Sequence, residues 1–101
     1  MDFEIYWTSL AELSYAEEIE FIFKKWNGAE VSEFVILVEN FISQLTQYPY
    51  LGKKVSQHKV HCFVVSKQTS IYYKVYPDLQ RIDLLLFHNN KRYPGNLSKL
   101  F

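Results

Sequence analysis

The stretch from residue 60 to residue 87, VHCFVVSKQTSIYYKVYPDLQRIDLLLF, decides the fold because it predicts three consecutive β-strands. Three runs within it are rich in β-branched, aromatic and aliphatic residues, as strands are: VHCFVVS (60–66), SIYYKVY (70–76) and RIDLLLF (81–87). Short polar connections separate the runs, and Pro77 in the second connection suits the second position of a type I turn. Connections of this length predict an antiparallel meander.

The sequence before this meander begins with one predicted strand and one predicted helix. Apolar and polar residues alternate over residues 2–7, which places Phe3, Ile5 and Trp7 on one face of a half-buried strand. Ser9 and Glu12 form a capping box that predicts the start of a helix, and Asn27-Gly28 ends it. The apolar residues at helical spacing in this helix are Ala16, Ile19, Phe23 and Trp26.

A second helix is predicted between Gly28 and the Tyr48-Pro49 pair that stops it. Seven apolar residues recur there every three or four positions: Val31, Phe34, Val35, Val38, Phe41, Ile42 and Leu45. The order β-α-α-β-β-β predicts an α+β fold, in which a helical hairpin packs on a twisted, mainly antiparallel four-stranded sheet. With 101 residues and a hydrophobic content of 49%, we expect one domain over residues 1–101.

The charges balance overall but are unevenly distributed. Eleven Lys and Arg residues face eleven Asp and Glu residues, so the net charge of zero gives no bulk attraction to nucleic acid or to an anionic membrane. Nine of the acids precede residue 40, and the chain from Lys53 onward has a basic excess. This distribution indicates an acidic helical side and a basic sheet side.

Cysteine content and hydropathy predict a cytoplasmic protein with no membrane role. The single Cys62 cannot form an internal disulfide, and MDFEIYW at the N-terminus carries acids where a secretory signal needs cations. No stretch approaches the roughly 20 apolar residues that span a bilayer.

Several motifs in this order make the chain resemble the RelE/ParE superfamily, the toxins of type II toxin-antitoxin modules, also known as plasmid stabilisation proteins. The first strand ends in YWTS, the first helix carries AEEIEFIFKKW, and QLTQYPYLGKK leads from the second helix toward the next strand. KQTSIYYKV (67–75) is similar to the family strand that carries a central Tyr. NNKRYPGNL (89–97) is similar to a terminal Asp-Asn-Arg-Gln-x-Pro pattern in some members.

The chain departs from the family pattern at positions that matter chemically. Asn89 stands where an Asp is common, Lys91 where an Arg is common, and Arg92 where a Gln is common. His61 and Cys62 occupy strand positions at which members often carry Arg. Since Arg offers a planar fork to a phosphate and Lys only a point charge, these exchanges weaken a direct transfer of catalytic roles.

RelE-like members are ribosome-dependent mRNA endonucleases, and the resemblance to them implies a reaction in which a ribose 2′-hydroxyl attacks the adjacent phosphate. Such a reaction needs a proton acceptor, cations for the phosphoryl oxygens and an acid for the leaving oxygen. The candidate catalytic residues are His61, Lys91, Arg92 and Tyr93, and the candidate target-binding residues are Lys53, Lys54 and Lys59. The topology suggests the hypothesis that these groups converge.

Each candidate also has a structural interpretation. His61 fits a partly buried, hydrogen-bonded structural histidine, and Lys53 and Lys54 fit a solvated loop. Lys91 and Arg92 fit charged residues that prevent a sheet edge from pairing with another chain. Tyr93 fits a ring packed on the helices. His58 and His61 are predicted on opposite faces of a strand, so no metal site and no cofactor is expected.

ParE-like members poison DNA gyrase, and the resemblance implies this function equally. They need a binding surface and no proton relay, which suits a neutral chain with Lys in place of Arg. We therefore favour a ParE-like gyrase inhibitor, with the RelE-like nuclease and a non-toxic binding domain as alternatives. All three imply a cognate antitoxin, with a homo- or hetero-oligomer as the assembly. The antitoxin is expected to dock in the cleft between the helical hairpin and the sheet, together with the edge of the C-terminal strand.

Overall fold

The computed structural model describes residues 2–55 and 57–91. Two helices and five strands follow one another along this part of the chain. Their bounds are β1 Glu4–Trp7, α1 Ser9–Lys25, α2 Gly28–Leu45, β2 Lys53–Lys54, β3 Val60–Val64, β4 Thr69–Tyr76 and β5 Arg81–Asn89, with a 3-10 turn at Pro77–Leu79 between the last two strands.

The strands form one sheet in the order β1-β5-β4-β3-β2. β1 pairs with β5 in parallel, and the other neighbours are antiparallel, so the predicted mainly antiparallel α+β fold is confirmed. The predicted strand count of four was one too low. The fifth strand consists of Lys53 and Lys54, which pair with β3 at the edge of the sheet. Two lysines carry no strand pattern of their own, and only backbone pairing makes them a strand.

Helix α1 differs from its prediction in both its cap and its buried face. Thr8 is the N-cap, since its side chain accepts a hydrogen bond of 3.1 Å from the backbone N–H of Ala11, whereas Ser9 was predicted to cap the helix. Of the predicted apolar stripe, Ile19 alone packs against the core, and Ala16, Phe23 and Trp26 are exposed. The face turned to the sheet is partly polar; its buried residues are Ala11, Ser14, Glu18 and Ile22.

Helix α2 agrees with its predicted stripe. Phe34, Val38, Phe41 and Leu45 are buried on the side facing the sheet, and Val31 and Ile42 pack beside them. The helix begins at Gly28, directly after Asn27, whose side chain accepts a hydrogen bond from the backbone N–H of Glu30. Asn27 is therefore the N-cap of α2, a position that favours Asn, and α1 has already ended at Lys25.

The core lies between the two helices and the sheet, and aromatic rings form much of it. Phe41 of α2 stacks on Phe63 of β3 with ring centroids 4.4 Å apart, and Trp7 of β1 stacks on Phe87 of β5 at 5.5 Å. Tyr73, at the centre of β4, is fully buried among them. Helices on one face leave the other face and the β2 edge as places for functional side chains.

Candidate functional site

His61 lies in a small cavity beside the two-residue edge strand. It pairs with Lys54 of β2 on one side and with Tyr73 of β4 on the other. The cavity has a volume of about 270 Å³, and its lining residues are Tyr50, Lys54, Lys59, His61, Val75 and Pro77. We call this the His61 cavity. It brings together one imidazole and two of the three lysines that the sequence singled out as target-binding.

The His61 ring is held on three sides. Its Nδ1 lies 3.2 Å from the carbonyl oxygen of Gly52, and because a carbonyl only accepts, Nδ1 carries the proton. The ring stacks on Tyr73 with centroids 5.4 Å apart, and the Tyr50 ring is tilted against it at the same distance. In the neutral ring Nε2 is therefore the lone-pair nitrogen.

Burial lowers the pKa of His61 below its ordinary value of 6.5, and the positive charge of Lys54 lowers it further. The hydrogen bond to the Gly52 carbonyl acts in the opposite direction and is smaller than the burial effect. His61 is therefore neutral at neutral pH. It can accept a proton there, but as a residue only 6% exposed it is poorly placed to meet a large substrate.

Tyr73 and Gly52 support the histidine, and residue patterns alone did not identify either as part of a site. The Tyr73 hydroxyl accepts a hydrogen bond of 2.7 Å from the backbone N–H of Gly52, whose carbonyl binds His61. Burial raises the pKa of Tyr73 to about 12, so this hydroxyl keeps its proton at neutral pH. A glycine following PYL and a tyrosine in mid-strand were the only sequence signals for this arrangement.

We expect the pKa of His61 to make the protein less stable at acidic pH. Because the pKa is lowered in the folded state, the stabilisation is complete above the unfolded value of 6.5 and is lost as the pH falls through the folded pKa. Urea unfolding from about pH 7.5 to about pH 5 should show a steeper loss of stability in the wild type than in His61→Gln. Equal slopes in the two proteins would contradict this assignment.

Of the other two predicted target-binding lysines, Lys53 lies apart from Lys54 and Lys59 lies between two cavities. Lys53 pairs with Cys62 and precedes Lys54, so its side chain points to the opposite face of the sheet from Lys54. Lys59 has a left-handed backbone conformation with φ of 64° in the turn before β3. It borders both the His61 cavity and a neighbouring cavity of about 540 Å³ between His58 and Leu79, so the predicted group is split.

Lys91 lies at the other end of the sheet. It is exposed just beyond β5, and its backbone N–H donates to the side-chain oxygen of Asn89 at 3.0 Å. The preceding Asn90 donates its backbone N–H to the Gln68 carbonyl at 2.6 Å, which ties the end of β5 to the start of β4. Arg92 and Tyr93, the other two predicted catalytic residues of this cluster, lie outside the described residues.

The strand register separates His61 from Lys91. His61 pairs with Tyr73, and Tyr73 pairs with Leu84 of β5, whereas the last residue of β5, Asn89, lies five positions farther along. Along β4 the same stretch, from Tyr73 to Thr69, is four residues, or about 13 Å at about 3.3 Å each. His61 and Asn89 are also two strand spacings of about 4.8 Å apart across the sheet, so their backbones are separated by about 16 Å in all. Lys91 is beyond that point, so the hypothesis that His61 and Lys91 converge was wrong. His61 of β3 pairs with the centre of β4, whereas Lys91 lies just beyond the end of β5 that pairs with Thr69 at the start of β4.

Within residues 2–55 and 57–91, no group of three His, Cys, Asp or Glu side chains is arranged to hold a metal ion. Over the same ranges, no helix has the length and apolar character needed to cross a membrane.

Comparisons with known proteins identify the fold. No protein-family model matches the sequence, and no curated protein matches it significantly. A chain of the chromosomal ParDE TA system from P. aeruginosa has a TM-score of 0.70 at 13% identity, covering 86% of this chain and 95% of that one. A chain of the toxin-antitoxin complex RelBE2 from Mycobacterium tuberculosis has a TM-score of 0.61 at 12% identity, covering 88% and 99%. The predicted RelE/ParE resemblance is therefore confirmed at the level of the fold.

Proposed function

We propose that this chain, which has the RelE/ParE fold, is the toxin component of a type II toxin-antitoxin module and acts as a ParE-like gyrase inhibitor. The toxin role is supported by the similarity of the fold to chains from the ParDE and RelBE2 systems. The choice of gyrase is supported by the separation of His61 from Lys91, which is the observation that carries the proposal.

A nuclease of the RelE type needs its base, its cations and its acid around one phosphate. Proton transfer requires the base to lie within hydrogen-bond distance, about 3 Å, of the atom it serves. With more than about 16 Å between the backbones of His61 and Lys91, the two cannot act on the same phosphate. A protein that binds its target needs no such convergence, so separate charged patches are compatible with gyrase inhibition.

We assign the target-binding surface to the end of β5. Lys91 is exposed there, and the neighbouring Asn89 and Asn90 are fixed by hydrogen bonds to the rest of the fold. Arg92 and Tyr93 follow directly in the sequence. This strand end and the residues that follow it supply hydrogen-bond donors and an aromatic ring, and Arg and Tyr are among the residue types enriched at protein interfaces.

The cognate antitoxin is assigned to the groove between α1 and β5. This groove has a volume of about 310 Å³ and is mainly apolar; its lining residues are Leu10, Leu13, Ser14, Glu17, Leu86, Phe87 and His88. Leu10 and Leu13 are about half exposed, at 51% and 57%. Large apolar side chains on one helix face suit the apolar anchors of a partner segment, and the resulting complex would be a hetero-oligomer.

One observation favours the RelE-like alternative, an mRNA endonuclease on the ribosome. The His61 cavity already combines a neutral imidazole with Lys54 and Lys59. If that cavity were the catalytic site, His61→Gln would abolish toxicity and Lys91→Ala would not. The gyrase proposal requires the reverse.

The first test is growth after induction of this chain in a bacterial host. We expect arrest within a few generations, and we expect normal growth when the small open reading frame adjacent to its gene is expressed together with it. Immunoblotting of the soluble fraction verifies that the chain is present. Unimpaired growth at verified soluble expression would contradict the proposed toxin role.

Two early measurements in the same cells then distinguish gyrase from mRNA as the target. For a gyrase inhibitor we expect induction of the DNA-damage response while incorporation of labelled amino acids continues. Rapid loss of incorporation together with cleaved mRNA would instead indicate the nuclease. Arrest with neither signal would contradict both assignments.

A further inference from the structure

A buried carboxylate connects α1 to the two strands at the Lys91 end of the sheet. Glu18 is 3% exposed on the sheet-facing side of α1. One of its oxygens accepts a hydrogen bond from the Thr69 hydroxyl at the start of β4, and the other accepts from the side-chain nitrogen of Asn89 at 3.1 Å. Thr69 and Asn89 are themselves buried. A buried carboxylate is tolerated only when its oxygens are bonded, so this geometry is tightly constrained.

Asn89 transmits the constraint to the chain beyond β5. Its amide nitrogen is bound to Glu18, so its oxygen must point the other way, where it accepts the backbone N–H of Lys91 at 3.0 Å. The hydrogen bond to Glu18 therefore decides which end of the Asn89 amide, the nitrogen or the oxygen, faces Lys91. Glu18 thus helps to position the backbone of Lys91 through one intermediate side chain, that of Asn89.

Ser14 supplies a second connection one helical turn earlier. Its hydroxyl donates to the Leu10 carbonyl at 2.7 Å and accepts the backbone N–H of Phe87 at 2.9 Å. Ser14 and Glu18 are four residues apart on one helix face, and Phe87 and Asn89 are two residues apart on one strand face. The two spacings match, so α1 holds the last part of β5 at two successive positions.

We infer that Glu18 is a positioning residue for the target-binding surface: it orients Asn89 and thereby fixes the backbone at Lys91. A buried apolar side chain, such as Ile22 on the same face of α1, would fill the space without burying two polar oxygens. What the carboxylate adds is the direction of the Asn89 amide. The inference rests on the proposed function only for its growth readout, because the structural readout does not require toxicity.

The structural test is amide hydrogen exchange by NMR on three variants. Glu18→Leu removes both acceptors while keeping an apolar volume, and we expect the Lys91 amide to exchange several-fold to about tenfold faster relative to amides in the middle of β4. Glu18→Gln should restore slow exchange, since its amide oxygen can accept from Asn89 and its nitrogen can donate to Thr69. Ile22→Ala is the matched control, a destabilised α1 with Glu18 intact.

The outcomes separate a positioning role from general stability. If Lys91 exchange is unchanged in Glu18→Leu, or rises equally in Ile22→Ala, the inference is overturned. At equal soluble expression, we expect Glu18→Leu to weaken growth arrest more than Ile22→Ala does, and Glu18→Gln to retain it. If the wild type does not arrest growth while the exchange pattern holds, the positioning role stands and the proposed function fails.

Discussion

Replacing Gly52 with alanine is expected to lower the free energy of unfolding by about 3 kcal/mol. A Cβ at this position would lie 2.8 Å from the backbone oxygen of Cys62 and 2.9 Å from the hydroxyl oxygen of Tyr73. The first of these atoms belongs to β3 and cannot move without disturbing the sheet. The loop must shift instead, and the shift breaks the hydrogen bonds of Gly52 to Tyr73 and His61.

Two further variants test whether the loss of stability in Gly52→Ala comes from the close approach of the loop to β3 and Tyr73. Gly28→Ala is the matched control, because its Cβ would meet only the ring of Phe23 at 3.9 Å, and we expect no loss or a gain of up to about 1 kcal/mol in a helix. Tyr73→Phe removes the hydroxyl alone and should cost about 1 to 2 kcal/mol. Urea unfolding measures all three. A Gly52→Ala variant as stable as Gly28→Ala would contradict the close approach described for the loop.

Replacing Lys91 and Arg92 together with alanine is expected to abolish growth arrest and to leave the fold intact. Lys91 is exposed, so its side chain contributes little to stability. Under the proposed function it supplies, with Arg92, the charge that contacts the target, and the few residues that dominate an interface each cost about 2 kcal/mol or more of binding when truncated. Growth after induction at equal soluble expression is the measurement.

His61→Gln is the contrasting variant for that experiment. It changes the His61 cavity, whereas Lys91 lies beyond the end of β5 that pairs with the start of β4. We expect it to retain growth arrest at temperatures where it stays folded. If cells that express His61→Gln grow normally and the Lys91 and Arg92 double variant remains toxic, the active surface is the His61 cavity. The nuclease would then explain toxicity better than gyrase inhibition does.

The sequence predicted the elements whose pattern matches their burial. Helix α2 has an apolar residue at nearly every core-facing position, so its periodicity identified Phe34, Val38, Phe41 and Leu45 correctly. The three meander strands are apolar over most of their length, and their order and pairing followed from short connections. In these segments the burial of apolar side chains marks most of the inward positions, although the strands also bury polar residues such as His61 and Asn89.

Helix α1 shows where this reasoning stops. Its sheet-facing side includes Ser14 and Glu18, which are buried because the ends of the strands supply hydrogen-bond partners for them. Hydropathy treats such residues as exposed, so the periodicity pointed instead to Phe23 and Trp26, which face outward. Partners 51 and 73 residues away in the sequence cannot be inferred from local spacing.

The candidate site was predicted by residue type but not by arrangement. His61, Lys54 and Lys59 do meet in one cavity, whereas Lys91 is placed elsewhere by the register of β4 and β5. Register depends on the pairing of the whole sheet, and the two-residue strand Lys53–Lys54 could not be read from its sequence. The supporting contacts of Gly52 and Tyr73 emerged only when the loop and the strand were brought together.

DNA cleavage by purified gyrase is the measurement that tests the proposed function most directly. Plasmid DNA is incubated with gyrase, ATP and the purified wild-type chain, and the products are resolved after denaturation and protease treatment. We expect linear, gyrase-cleaved plasmid to accumulate with the wild type and to be absent with the Lys91 and Arg92 double variant. Fully supercoiled plasmid with no cleavage at any concentration of the folded wild-type chain would contradict the account.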